Sequence, residues 1–432
     1  MGGILLFLGL VLLGYAPRPV GAAPDRPVDA RGVLRHALAA ACDAADMGPR
    51  DPGWRLGQAT LVEESVFDLG GRPGRLRRLF RLPSGDELRM RLFFPGGRLR
   101  RAGADVYQAT GGGATRPVMT ATAGGDCRIA GGRRILYDGR GRAAELVFLG
   151  PDLEDTGRSE PLNAPVPAGA DPGGVTVAHV DSGINYTIPA LAARLARDPA
   201  GRALGYDYWD MDDRPFDADT GRSPFFPIRH GTRVAGILVR EAPDVRLLPY
   251  RYPRPAMGRM ADMVADADAN GALIVAMPMG SNDSGAWRPF AEAARLRPHM
   301  LFVVSAGNDG RDIDAEPVYP AVLGLENFLV VTSSDATGRL APGSNWGAEH
   351  VDVMVDAENL DTIDHRGART KVSGSSFAVP RVAALAARLA KKHPTWRAAE
   401  LKKAILARAR PSPFHPTPVV RHGWIPYPQE DG

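Results

Sequence analysis

Between Val175 and Lys392, short runs of consecutive apolar residues alternate with longer stretches of helical periodicity. Val175 to Val180, Leu247 to Tyr250, Leu273 to Met277, Leu301 to Val304 and Phe328 to Thr332 read as strands. Gly231 to Arg240, Met257 to Asn270, Trp287 to Leu296 and Ser376 to Lys392 read as helices. A strand that is apolar on both faces must be covered on both faces, and strands joined through helices run parallel. The expected fold is α/β, a three-layer domain with a mostly parallel sheet between helices and right-handed crossovers. Ligand sites in such sheets form beyond the carboxyl ends of the strands. Asp181 and the segment Ser305-Ala306-Gly307-Asn308 fall there.

The first part of the chain has a different pattern. Leu61 to Phe67, Leu76 to Leu82 and Leu88 to Phe94 are short runs separated by Gly/Pro turns. Leu88, Met90 and Leu92 alternate with Arg89 and Arg91, as a half-buried strand requires. Asp138-Gly139 lies between two strand-like runs and signals a hairpin. Arg31 to Met47 reads as a helix. Residues 151–173 are rich in Pro, Gly and acidic side chains and read as a linker. The expected organisation is a signal peptide at 1–22, a smaller β-rich (α+β) N-terminal domain at 23–150, the linker, and an α/β domain at 174–432. The N-terminal domain is open to two readings, a pro-segment removed on maturation or a permanent accessory domain.

Ile4 to Ala16 is apolar and is followed by small residues at Val20, Gly21, Ala22 and Ala23. It is shorter than the ~20 residues that span a bilayer, so cleavage after Ala22 or Ala23 is expected, with export and no membrane span in the mature chain. An oxidising destination allows Cys42 and Cys127, the two cysteines, to pair as a disulfide. The net charge of +4 is too small to argue for a nucleic-acid partner.

Four residue types needed for acyl transfer occur at element ends. Asp181 closes the first strand of the α/β region, and a carboxylate there can orient an imidazole. His230 precedes the helix that starts at Gly231. Ser376 lies at the start of the last long helix, where backbone N–H groups favour a developing anion. Asn308, in Gly307-Asn308-Asp309-Gly310, offers a side-chain amide as a second donor. Each residue alone has a plainer explanation: a turn-capping Asp, a solvated loop His, a helix-capping Ser, a turn Asn. The combination and its order carry the argument.

Asp181-Ser182-Gly183-Ile184, His230-Gly231-Thr232-Arg233-Val234-Ala235-Gly236, Ser305-Ala306-Gly307-Asn308 and Gly374-Ser375-Ser376-Phe377-Ala378-Val379-Pro380 resemble the four signature segments of subtilisin-like serine proteases, peptidase family S8. The resemblance runs from about Gly174 to the C-terminus. It implies a catalytic triad of Asp181, His230 and Ser376, with Asn308 and the Ser376 N–H as oxyanion donors. It also implies an exported monomeric endopeptidase that acts on protein or peptide substrates without a catalytic cofactor. Pro278, Met279 and Gly280 occupy the family's substrate-pairing edge, where Pro278 removes one N–H. That departure supports the alternative of a catalytically weak or inactive binding protein on a protease fold. Arg233 stands where the family often has a second histidine and is expected at the substrate rim. Asp312, Asp314 and Glu316 follow Asn308 in the stretch that borders the family's S1 pocket, and they suggest arginine at P1. Asp207, Asp210, Asp212, Asp213, Asp217 and Asp219 form an acidic cluster. It fits no EF-hand spacing and reads as a solvated loop, which leaves a structural calcium ion unsupported and no metal site assigned. An α/β-hydrolase esterase would carry its triad in the order Ser, Asp, His, which this chain does not.

Overall fold

The computed structural model describes residues 29–43, 56–69 and 72–429. The expected signal segment, 1–22, lies outside them. The chain divides into two compact units. One contains residues 1–135 and 147–158; the other contains residues 136–146 and 159–432.

The N-terminal region begins with helix α1 (Ala30–Asp43) and continues as a meander of eight strands in sequence order. These are β1 (Thr60–Leu69), β2 (Arg72–Arg81), β3 (Glu87–Phe93), β4 (Arg101–Gly111), β5 (Ala114–Gly124), β6 (Ile129–Tyr137), β7 (Ala143–Leu149) and β8 (Asp155–Pro161). Leu34, Ala37, Leu38 and Ala41 form the buried stripe of α1, which lies against β4 and β5. The inward residues of those two strands include Ala102, Ala104, Ala121 and Ala123. Small residues let the helix approach closely, but they carry little strand signal. That is why β4 and β5 are hard to read from the sequence. β8 lies within the stretch that composition marks as linker. Its residues are almost all exposed, so it has no apolar alternation to reveal it. Cys42 in α1 is bonded to Cys127 in the turn before β6.

The second unit is a parallel sheet between helices, as expected. Its remaining elements are β9 (Val175–Asp181), α2 (Pro189–Ala192), β10 (Tyr206–Asp207), α3 (Gly231–Glu241), β11 (Val245–Arg251), α4 (Met260–Ala269), β12 (Ile274–Met277), α5 (Ser284–Arg295), β13 (Leu301–Ser305), β14 (Phe328–Ser334), β15 (Val353–Asp356), β16 (Leu360–Ile363), β17 (Arg369–Val372), α6 (Ser375–Lys392), α7 (Ala398–Leu406) and β18 (Trp424–Ile425). The sheet order is β10-β11-β9-β12-β13-β14-β15-β18, and every pairing is parallel. Val177 packs with α3, α6 and α7 on one face. Ala178 and Val180 pack with α4 and α5 on the other. One strand thus serves two cores, and its apolar run is continuous for that reason. The chain leaves β9 toward β11 on one side and returns to β12 on the other. The carboxyl end of β9 is therefore a topological switch point, and it holds Asp181.

The acidic cluster before His230 is a solvated loop only in part, at Asp210 and Asp213. Asp217 and Asp207 are buried. Asp207 and Asp210 pair with the buried Arg251, Asp212 with Arg142, and Asp219 accepts the Tyr252 hydroxyl. Fixed cations and donors compensate these charges, as burial requires. Among the described residues, no group of three or more His, Cys, Asp or Glu could hold a metal ion. No helix among them is long and apolar enough to cross a membrane.

Candidate active site

Asp181, His230, Asn308 and Ser376 line one cleft of about 780 Å³ at the carboxyl ends of the parallel strands, together with Pro278, Met279 and Gly280. Four separate elements deliver them: β9, the start of α3, the loop after β13 and the start of α6.

The Asp181 carboxylate is buried and faces His230, whose Nδ1 lies 2.9 Å from Oδ1 and 2.8 Å from Oδ2. Nδ1 therefore carries the proton and donates, which leaves Nε2 as the acceptor. Burial opposes the charge on each partner, and mutual attraction outweighs it. The Asp181 carboxyl is held below its ordinary range, and the His230 imidazole is raised above its own. The Phe377 ring stands 5.5 Å from the His230 ring, tilted by 39°, and restrains it.

Close approach makes this pair possible. A Cβ on Gly231 would stand 1.9 Å from the Gly183 carbonyl oxygen and 3.0 Å from Asp181 Cβ. Only glycine lets α3 start against the end of β9. Ser182 joins the two elements. Its hydroxyl donates to Asp217 Oδ1 at 2.6 Å and accepts the Gly231 N–H at 2.9 Å. Asp217 Oδ2 accepts the Thr232 N–H at 3.0 Å. Two unpaired donors of the first turn of α3 are satisfied in this way, and a carboxylate sits at the positive end of that helix. Sequence reasoning missed Ser182 and Asp217 as supports. Ser182 was visible in the Asp-Ser-Gly motif, but Asp217 was indistinguishable from its acidic neighbours.

Ser375 and Ser376 are the first two residues of α6. Asn308 Oδ1 accepts the Ser375 N–H at 2.8 Å and lies 3.0 Å from Ser375 Oγ. Because Oδ1 faces a backbone donor, the amide has one orientation, and its Nδ2 donors are left for a ligand. The buried Ser375 hydroxyl also lies 2.7 Å from Ser305 Oγ and 2.9 Å from the Gly307 carbonyl, tying α6 to the end of β13. Ser376 Oγ donates to the Pro278 carbonyl at 3.3 Å. Pro380 is the sixth residue of α6 and not part of its first turn. It supplies no N–H to the Ser376 carbonyl four residues back.

Two expectations need correction. Arg233 does not line the cleft; it sits in α3, and its carbonyl accepts the Thr362 hydroxyl at 2.7 Å. Asp312, Asp314 and Glu316 do not line the cleft either. Asp314 pairs with His350 and accepts the Glu349 N–H. Asp312 accepts the Asp314 N–H, and Glu316 faces Arg311. Their spacing follows turn chemistry, and these carboxylates give no reason to expect arginine at P1.

Carboxylate, imidazole, hydroxyl and carboxamide, converging at a switch point of a parallel sheet, form a set suited to acyl transfer. The family description of the subtilases, peptidase S8, matches residues 173–424. The chain belongs to this family. It is 30% identical over 231 residues to a thermophilic serine proteinase of Bacillus sp. (strain AK1), covering 50% of this chain and 52% of that protein. It is 27% identical over 262 residues to alkaline serine exoprotease A of Vibrio alginolyticus, covering 58% of this chain and 45% of that protein. The chain thus spans about half the length of these curated relatives. Among solved structures, a cold adapted subtilisin-like serine proteinase has a TM-score of 0.49 and 22% identity, covering 61% of this chain and 93% of that one.

Proposed function

We propose that this protein is an exported serine endopeptidase that cleaves protein or peptide substrates through an acyl-enzyme. The observation that carries the reading is the Asp181–His230 pair in one cleft with Ser376 and an Asn308 amide of defined orientation.

Rotation about the Ser376 Cα–Cβ bond exchanges the Pro278 carbonyl for His230 Nε2. Such bonds are often long or misdirected before substrate binds. Ser376 Oγ then attacks the scissile carbonyl carbon, and its proton moves to His230 Nε2. Asp181 holds the tautomer and stabilises the imidazolium. The oxyanion accepts hydrogen bonds from Asn308 Nδ2 and the Ser376 N–H, at the positive end of α6. His230 returns the proton to the leaving amine, which departs, and the acyl group stays on Ser376 Oγ. Water, deprotonated by His230, releases it. No cofactor takes part. Pro278 and Gly280 offer backbone groups to the acyl side of the substrate.

The N-terminal region has its own buried core around α1 and a disulfide, which supports a retained domain over a discarded pro-segment. N-terminal sequencing of the exported protein checks this: a start near Ala23 agrees, and a start between Gly150 and Gly174 does not.

The activity is tested with a fluorophosphonate probe on the full chain expressed with export. Labelling that disappears in Ser376→Ala is expected. A folded protein that does not label defeats the proposal and leaves a binding protein on a protease fold, the alternative to which Pro278 points.

A further inference from the structure

The cleft beside Ser376 and Asn308 has two bare walls. Gly280 and Gly307 line it, and so does Val318. A Cβ on Gly280 would stand 3.3 Å from Val318 Cγ1, and a Cβ on Gly307 would stand 3.8 Å from that same carbon. That methyl carbon lies beside both walls, although a Cβ on Gly280 would meet the Tyr319 carbonyl oxygen first, at 2.7 Å, and one on Gly307 would meet Asn345 Nδ2 first, at 2.5 Å. Neither wall can recede further, because glycine has no side chain to lose.

Val318 is also held in place. It is 4% exposed and belongs to the core shared with α4 and α5. The next residue, Tyr319, exchanges two backbone hydrogen bonds of 2.8 Å with Ser281, which follows Gly280. The floor is thus tied to one of the walls it separates. A β-branched side chain on a clamped backbone has few rotamers available.

This arrangement bears on substrate choice through the geometry of the oxyanion. The Ser376 N–H and Asn308 Nδ2 would hold the scissile carbonyl. The Cα of the residue that owns this carbonyl is one bond away. With the acyl side of the peptide laid along 278–280, the side chain of that residue would point between that segment and Gly307, the residue before Asn308.

We propose that Val318 is the floor of the pocket for this side chain, and that the protein selects peptides with Gly, Ala or Ser on the acyl side of the scissile bond. The inference rests on the roles given above to Ser376 and Asn308. In an apolar pocket, one methylene alters discrimination by roughly 10–200-fold, and overpacking is penalised as a cavity is.

The test uses the full chain expressed with export, with active sites counted by fluorophosphonate labelling. Peptides differ only at the acyl-side residue: Ala, Val, Leu, Phe or Arg. For the wild type, kcat/KM is expected to fall at least tenfold from Ala to Leu and further to Phe and Arg. Val318→Gly is expected to raise the Phe-to-Ala ratio at least tenfold. Val318→Ala, which disturbs the core less, is expected to shift it the same way. A wild type that cleaves after Phe or Leu as well as after Ala overturns the inference, as does an unchanged ratio in folded Val318→Ala. A protein that labels but ranks Phe above Ala defeats this inference alone; one that does not label defeats the proposed function as well.

Discussion

Asn308 Oδ1 accepts the backbone N–H of Ser375 at 2.8 Å, across 67 residues of sequence. One hydrogen bond thus joins the loop after β13 to the start of α6 and turns the other end of the amide toward a substrate. Asn308→Ala is expected to lower kcat by roughly 10²–10³-fold with little change in KM. That magnitude is known for the corresponding loss in a subtilisin. Asn308→Asp keeps the acceptor but removes the donor, and it should lose a similar factor. Steady-state kinetics on both variants checks this; an unchanged kcat would remove Asn308 from the site.

Asp181 lies against His230 Nδ1 and raises the imidazole above its ordinary value of about 6.5. A general base works only when neutral. The acid limb of the kcat/KM profile should therefore have its midpoint above about 6.5. Asp181→Asn removes the charge and the carboxylate that fixes the tautomer. It should lower kcat roughly 10⁴-fold and move the midpoint of the residual activity to lower pH. A wild-type midpoint at pH 6 or below would contradict this.

Glu160 faces His365 at 3.3 Å and is bonded to the Arg366 guanidinium. The His365 imidazole beside it, working against burial and helped by Arg366, brings its carboxyl from 4.5 down to about 2. A folded-state value below the unfolded one stabilises fully above the unfolded value, and the contribution is lost as pH falls toward the folded value. Glu160→Gln should cost about 1–3 kcal/mol at pH 7, since one pKa unit is worth about 1.4 kcal/mol and Arg366 is half exposed. The difference from wild type should narrow from about pH 5 and be largely gone only below about pH 2. Denaturant titrations at several pH values measure it.

Cys42 and Cys127 are 85 residues apart. Opening a loop of that size should cost roughly 2–5 kcal/mol. Cys127→Ser, or reduction, should lower the temperature of a transition assigned to the N-terminal unit. Calorimetry with and without reductant checks this.

Much of the candidate site could be proposed from the sequence because the chemistry suggested for it is carried by short contiguous motifs. Asp181, His230, Asn308 and Ser376 each lie in a segment whose glycines and small residues reveal a tight turn or a helix start. The strands β9, β12, β13 and β14 were legible because burial on both faces leaves an unbroken apolar run. β4, β5 and β8 were not, because alanine-rich or exposed strands are defined by backbone pairing, which leaves no side-chain pattern.

The sequence by itself determined the α/β alternation, the four motifs and their order, and therefore the family. Only the tertiary structure decided which acidic residues support the site: Asp217 is buried behind Ser182, whereas Asp312, Asp314 and Glu316 are engaged outside the cleft. It also decided that Val318 stands between Gly280 and Gly307, from which it is 38 and 11 residues away. The reason is physical. A motif records the local conformation that a few adjacent residues need, while the occupant of a pocket is set by which distant segments the sheet brings side by side.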